Sequence, residues 1–397
     1  MKKIAAMLLA VVMAFTCLFA FAGCGNNDTQ TTTKGGSSDG TDVGTFKLGA
    51  IGPLTGGAAI YGIAVMNGAQ IAVDEINAKG GMQFEFKSAD DVADGETAVN
   101  AYNSLRDWGM KVLIGPVTTG SAIAVSSVAF EDRLFALTPS ASSTDVIDGK
   151  DNVYQVCFTD PNQGIGSADY IAENMAGAKV AVIYRNDDAY SQGIRDTFVK
   201  EAAAKSVEVV YEGTFNKDTA TDFSVQLTAA KQAEADTLFL PIYHEPAAVI
   251  LKQAKDMDYA PTFFGVDGMD GILTLENFDT SLAEGVMLLT PFAADAADEL
   301  TKNFVKKYSD TYGQIPNQFA ADAYDAVYAI YEALTKAGCT ADMSAEDICE
   351  KLVETMPTIT LDGLTGQGMT WESTGAVSKA PKAVVIKDGV YVLPENQ

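Results

Sequence analysis

The chain has 397 residues, 47% of them hydrophobic and 20% charged, the balance of a soluble globular protein. That length gives more than one domain on ordinary size limits, with ample material for sizeable cores. A net charge of −26 argues against nucleic acid as a partner, since phosphate backbones are held by basic faces; an acidic surface mainly favours solubility.

Residues 1–23 have the build of a secretory signal: Lys2 and Lys3 precede the apolar run IAAMLLAVVMAFTCLFAFA. The next residues, Phe21-Ala22-Gly23-Cys24, resemble the bacterial lipobox, in which the cysteine is lipidated and becomes residue one; Phe21 stands where Leu is commoner. An uncleaved membrane anchor and ordinary signal cleavage are the other readings of this stretch. Residues 24–44 are polar and without apolar periodicity, and they read as a disordered tether. Twenty such residues span about 25 Å as a coil and about 65–70 Å when drawn out. No later segment is apolar enough to cross a bilayer. The expected location is therefore extracytoplasmic, anchored by lipid to the outer face of a cell membrane. Beyond Cys17 and Cys24 only Cys157, Cys339 and Cys349 remain. One Cys339–Cys349 disulfide is possible, but the preferred reading is reduced thiols or buried small apolar residues.

From Thr45 onward strands and helices alternate. FKLGAIG is a strand, and IYGIAVMNGAQIAVDEINAKGG is an amphipathic helix closed by Gly80-Gly81. Strand QFEFKSADD and a helix near Glu96–Trp108 follow, then strand KVLIG, the loop VTTGS, a helix, strand RLFALT and the loop PSASST. Asp160-Pro161-Asn162 reads as a polar turn, after which the pattern restarts with helix Gln163–Asn174 and strand AKVAVIYR. Helix Tyr190–Ala204, strand VEVVYEG, helix Asp222–Lys231, strand DTLFLPIY, helix Pro246–Met257 and strand TFFGVDG continue it. EGVMLLTPF leads back to helices Ala297–Tyr312 and Asn317–Ala337, which suit the flank of the first sheet. PKAVVIKDGVYVL is a hairpin turning at Asp388-Gly389, assigned to the second lobe. Repeated βα units imply α/β architecture, with two doubly wound parallel-sheet lobes joined by several crossings. The expected partition is residues 45–160 plus 292–370 for lobe one, and 161–291 plus 371–397 for lobe two.

Catalytic patterns are missing. There is no G-x-S-x-G and no phosphate-binding G-x-x-x-x-G-K-[ST], and Gly164-Ile165-Gly166 runs on into Ser-Ala-Asp. No C-x-x-C occurs and His244 is the only histidine, so the common zinc patterns are absent; His244 reads as a polar residue at a loop or helix start. What recurs instead is polar side chains at strand ends: Thr118, Thr119 and Ser121; Ser140, Ser142 and Ser143; Tyr61, Tyr190, Tyr243 and Asp267. Ligands of open α/β sheets collect there. Hydroxyls and helix-start N–H groups suit a carboxylate, an aspartate suits an ammonium group, and tyrosines supply apolar walls. Together they describe a clamp for a zwitterion. Taken singly, each has a plainer reading as a helix cap or a packing residue.

The segments GAIGPLTGGAAIYG, GAQIAVDEINAKGG, VLIGPVTTGSA, LTPSASS, RNDDAYSQG, IYHEPAAVILKQAK, FFGVDGMDG and ADAYDAVYAIYEAL occur in order. As a set they resemble the Leu/Ile/Val-binding proteins, the receptors of branched-chain amino-acid ABC importers, in the periplasmic binding protein type 1 family. The resemblance implies a two-lobed receptor for a free amino acid, with no cofactor and no catalysis. Its implied partners are an ABC permease with its ATPase, and its implied state is a monomer. By the same resemblance Thr119 and Ser142, with the backbone of Ser140, hold the α-carboxylate. Asp267 holds the α-ammonium group, and Tyr61, Tyr190 and Tyr243 form the walls. Gly120 stands where some members have Ser, which moves a carboxylate contact to the backbone N–H, and Asp267 is shorter than the Glu of others. A sensor of the same fold, or a receptor for short amides or urea, is the alternative role.

Overall fold

The computed structural model describes residues 44–394; the signal, Cys24 and all but the last residue of the tether lie outside that range. In the first lobe, β1 (Thr45–Gly52), α1 (Ala59–Lys79), β2 (Gln83–Asp90), α2 (Gly95–Trp108), β3 (Val112–Ile114), α3 (Thr119–Glu131), β4 (Ala136–Thr138) and β5 (Val153–Gln155) follow in turn. The five strands are parallel in the order β2-β1-β3-β4-β5. Side chains alternate across a strand, so Phe46, Leu48 and Ala50 enter the core on one face of this sheet and Ile51 enters the core on the other. Local chemistry sets the helix ends. The Asp94 carboxylate accepts from the Thr97 N–H at 2.9 Å to start α2, and left-handed Gly109 stops it.

The second lobe runs α4 (Asp160–Asn174), β6 (Lys179–Arg185), α5 (Ala189–Ala204), β7 (Glu208–Phe215), α6 (Ser224–Gln232), β8 (Thr237–Leu240), α7 (His244–Asp256), β9 (Thr262–Gly265) and β10 (Met287–Thr290). Its parallel strands lie in the order β7-β6-β8-β9-β10, which repeats the topology of the first sheet. The chain then returns to the first lobe for α8 (Glu299–Tyr312), α9 (Gln318–Lys336) and α10 (Ala345–Thr355), whose apolar faces join the α1 side of its core. Gly68 is required where α1 meets α9, because a Cβ there would lie 1.9 Å from the Ala320 carbonyl oxygen. Finally β11 (Lys382–Lys387) and β12 (Val390–Val392) form a hairpin, β11 pairing antiparallel with β10.

Several expectations need correction. Asp160-Pro161-Asn162 is the first turn of α4 and not a turn before it: the Thr159 hydroxyl caps the Asn162 N–H, and proline is tolerated where no helical donor is needed. EGVMLLTPF contains a sheet strand, β10. β5 and α10 have no counterpart in the sequence reading. The last crossing comes later than residue 371: the Trp371 indole N–H donates to the Gln155 carbonyl at 2.8 Å, and Trp371 and Val377 pack in the first-lobe core. Lys379 is also anchored there, its ammonium group bonded to Asp322 at 2.6 Å and to the Thr365 hydroxyl at 2.5 Å. Cys339 and Cys349, by contrast, are buried, free thiols, the reading preferred from the sequence over a disulfide. Among the described residues no helix is long and apolar enough to cross a membrane.

Candidate functional site

The carboxyl ends of both sheets meet, and the strand-end loops enclose one small cavity with about 10 Å³ of free space, room for about one water molecule. Tyr61, Val117, Thr118, Ser140 and Phe319 line it from the first lobe; Tyr190, Tyr243, Asp267 and Gly268 line it from the second. The chain leaves β3 through Gly115 at φ +101°, where a Cβ would sit 2.4 Å from the Ile51 carbonyl oxygen. That turn delivers Val117 and Thr118 to the cavity. Thr118 precedes α3 in extended conformation, and its hydroxyl caps no helix amide. It is buried and without a hydrogen-bond partner. The first-turn N–H groups of α3 follow it directly, a setting that favours a carboxylate. The Ser140 hydroxyl is occupied, donating to the Val117 carbonyl at 2.6 Å, so it ties the two loops together.

The opposite wall is aromatic with one acid. Tyr190 and Tyr243 stack at 4.8 Å, while Tyr61 meets Phe319 edge-on at 4.8 Å and His244 at 4.9 Å. Asp267 starts a 3₁₀ turn after β9 and is 3% exposed. Its carboxylate accepts from the Tyr190 hydroxyl at 2.5 Å. Its own N–H donates to the Gln163 side chain at 3.2 Å. Burial pushes its carboxyl up to about 7, opposed by the Tyr190 hydroxyl. Burial also holds His244 down at about 4, so its imidazole is neutral near pH 7.

The structure thus brings Tyr61, Ser140, Tyr190, Tyr243 and Asp267 together. Thr119, Gly120 and Ser142 do not line the cavity, for identifiable reasons. Because α3 begins at Thr119, the preceding residue and not Thr119 meets the cavity. A Cβ on Gly120 would meet nothing within 4 Å, so that position faces open space and contributes only a first-turn amide. Ser142 is fully buried with an unpartnered hydroxyl, and its carbonyl accepts from the Asp160 N–H at 2.9 Å, at the first crossing between lobes. Thr118 was among the strand-end hydroxyls of the sequence reading but not among its chosen contacts. Val117, Phe319 and Gly268 were missed, as was the part played by His244. The one available signal was the position of His244 directly after a strand.

The His244 ring bonds to the Tyr61 hydroxyl. Among the described residues no group of three or more His, Cys, Asp or Glu side chains is placed to hold a metal ion.

A periplasmic binding protein family model matches residues 45–389. The Leu/Ile/Val-binding protein BraC3 of Rhizobium johnstonii is 32% identical over 319 residues, covering 78% of this chain and 84% of the relative. The Leu/Ile/Val-binding protein homolog 3 of Brucella melitensis is 32% identical over 341 residues, covering 83% and 88%. Among solved structures, the branched-chain amino acid transporter substrate-binding protein LivJ of Streptococcus pneumoniae, in complex with isoleucine, is 27% identical with a TM-score of 0.78. That match covers 88% of this chain and all of LivJ. Fold, closed two-lobe site and sequence agree, and the chain belongs to the periplasmic binding protein family.

Proposed function

We propose that this protein is an extracytoplasmic, lipid-anchored receptor that captures a free amino acid with an aliphatic side chain and delivers it to an ABC permease. The observation carrying this reading is the opposition of unlike groups across one cavity. The Asp267 carboxylate stands in one lobe; the Thr118 hydroxyl and the α3 N-terminus stand in the other. The closed cavity has room for about one water, so a zwitterion enters with the lobes parted; there it would satisfy both ends, and the rings of Tyr61, Tyr190, Tyr243 and Phe319 would offer an apolar wall for its side chain. The relatives named for leucine, isoleucine and valine support the same ligand class. Amides and urea lack an ammonium group and would leave Asp267 without a counter-charge, so the amino acid is preferred.

A thermal-shift screen of the twenty amino acids, with acetamide and urea as controls, tests the proposal. A ligand present at 100 times its Kd stabilises the folded state by about 2.7 kcal/mol. Stabilisation by Leu, Ile or Val is expected. A shift with the amides and none with any amino acid would refute the reading. For the anchor, a Cys24→Ala protein is expected to leave the membrane fraction, and retention there would refute lipidation.

A further inference from the structure

The hydrogen bonds beside the cavity include a set that joins one lobe directly to the other. The Tyr61 hydroxyl, on α1 of the first lobe, meets three groups of the second: the Gly268 carbonyl at 2.5 Å, the His244 backbone N–H at 3.2 Å, and His244 Nδ1. A phenol has one proton to give and two lone pairs to offer. All three contacts are satisfied by a single assignment: Tyr61 donates to the Gly268 carbonyl and accepts from the His244 N–H and from a protonated Nδ1. The hydroxyl is then fully used, with no capacity left for a bound solute. A second contact lies at the start of α9. The Gln318 side-chain amide donates to the Asp267 carbonyl at 3.0 Å, and the Gln318 N–H donates to the Asp270 carboxylate at 3.0 Å. The latter sets a carboxylate of the second lobe on the helix N-terminus of the first, a favourable charge–dipole arrangement. Both contacts grip residues 267–270, the loop that carries Asp267.

We infer that Tyr61 and Gln318 form a clasp that closes the first lobe on the Asp267 loop through protein–protein hydrogen bonds, so that the Tyr61 hydroxyl positions the Asp267 loop and makes no polar contact with a ligand, leaving only the ring as wall. The clasp adds the same increment to closure whatever solute is held. Losing it opens the ligand-free protein and weakens all solutes by a common factor, whereas losing a ligand contact discriminates among solutes. The second of these consequences rests on the amino-acid reading; the first does not.

Spin labels at exposed Lys302 on α8 and Val225 on α6 report the distance between lobes; among the described residues the native cysteines Cys157, Cys339 and Cys349 are buried away from the labelling reagent, and Cys24 is replaced by alanine. A closed population is expected in the ligand-free wild type. Tyr61→Phe should raise the open-to-closed ratio by at least about fivefold, since that is the net worth of one hydrogen bond and the hydroxyl makes three. His244→Ala should act alike, and the double variant should exceed the stronger single one by less than about twofold. Gln318→Ala, at the separate contact, should raise the ratio about fivefold and add to Tyr61→Phe. Calorimetry with leucine, isoleucine and valine should show Tyr61→Phe weakening all three by one factor. The clasp is refuted if the ligand-free wild type is wholly open, if folded Tyr61→Phe and Gln318→Ala leave the distances unchanged, or if the three losses differ by more than about threefold. A wild type that binds none of the three overturns the proposed function instead, and the ligand-free distances still decide the clasp.

Discussion

Replacing Asp267 with asparagine changes one oxygen to an NH₂ group and keeps the shape, which isolates the charge. The native side chain is 3% exposed, lies inside a closed cavity and has no basic side chain among its hydrogen-bond partners: Tyr190 is the group that donates to its carboxylate. An ammonium group brought here therefore depends on Asp267 for its counter-charge. Leaving a buried charge without its partner costs about 3–5 kcal/mol, or roughly 150- to 4,500-fold in Kd. Isothermal titration of wild type and Asp267→Asn with isoleucine measures this directly, with circular dichroism confirming the fold. A Kd for the variant within about fivefold of wild type would refute the zwitterion clamp. The same variant carries a pH signature. The ordinary carboxyl value is 3.8 and the folded value is about 7, so between these the folded, ligand-free protein binds more protons than the unfolded chain. Stability from this group is present below pH 3.8 and lost as pH rises to 7, by up to about 4 kcal/mol at 1.36 kcal/mol per unit. Asp270 and Asp322 are also raised, to about 6, so the informative quantity is the difference between wild type and variant. Asp267→Asn should unfold at a higher temperature than wild type at pH 8 and lose that advantage by pH 4; parallel melting curves across pH would contradict the burial argument.

Thr118→Val removes the unpartnered hydroxyl that faces the cavity and should weaken amino-acid binding about 10- to 150-fold, the range for a hydrogen bond to a charged group. Ser142→Ala should stay within about threefold; calorimetry reporting the reverse order would return the carboxylate contact to Ser142. Lys379→Met breaks the ion pair with Asp322, whose side chains are 0% and 2% exposed, and strands a buried carboxylate. A loss of about 3–5 kcal/mol is expected in urea unfolding, and a loss below about 1 kcal/mol would show that Asp322 is simply protonated. Lys252→Ala removes an exposed pair with Asp256 on α7 and should change stability by less than about 1 kcal/mol, as surface pairs do.

Much of the fold was legible because each βα unit carries its own signals. Asp94 and Gly109 mark the ends of α2, alternating apolar residues mark β1, and Asp388-Gly389 marks the terminal hairpin. β5 was not, because Val153–Gln155 is set among polar residues (DNVYQ) with no apolar run of its own, whereas β3 and β4, equally short, lie in the apolar runs KVLIG and RLFALT. The turn at Asp160–Asn162 was misread because proline marks helix starts as well as turns. In the site, the aromatic residues and Asp267 stand where strands end, which sequence shows well. The choice between Thr118 and Thr119 depends on where α3 begins, and a one-residue shift turns a side chain by about a quarter of a helical turn. Phe319 lies far from the other site residues in sequence and reaches the cavity only because the chain returns to the first lobe.

The three connections between lobes have a mechanical meaning. The chain passes across at Thr159–Asp160, again after β10, and a last time beyond the buried anchor at Lys379. A single linker would let the lobes swivel and slide, while three separate connections act like several knuckles of one hinge. They resist twist and separation and leave bending about one line as the soft mode. Each reopening is thereby guided along the same arc, which returns Asp267 to Tyr61 and Gln318 in register without any search.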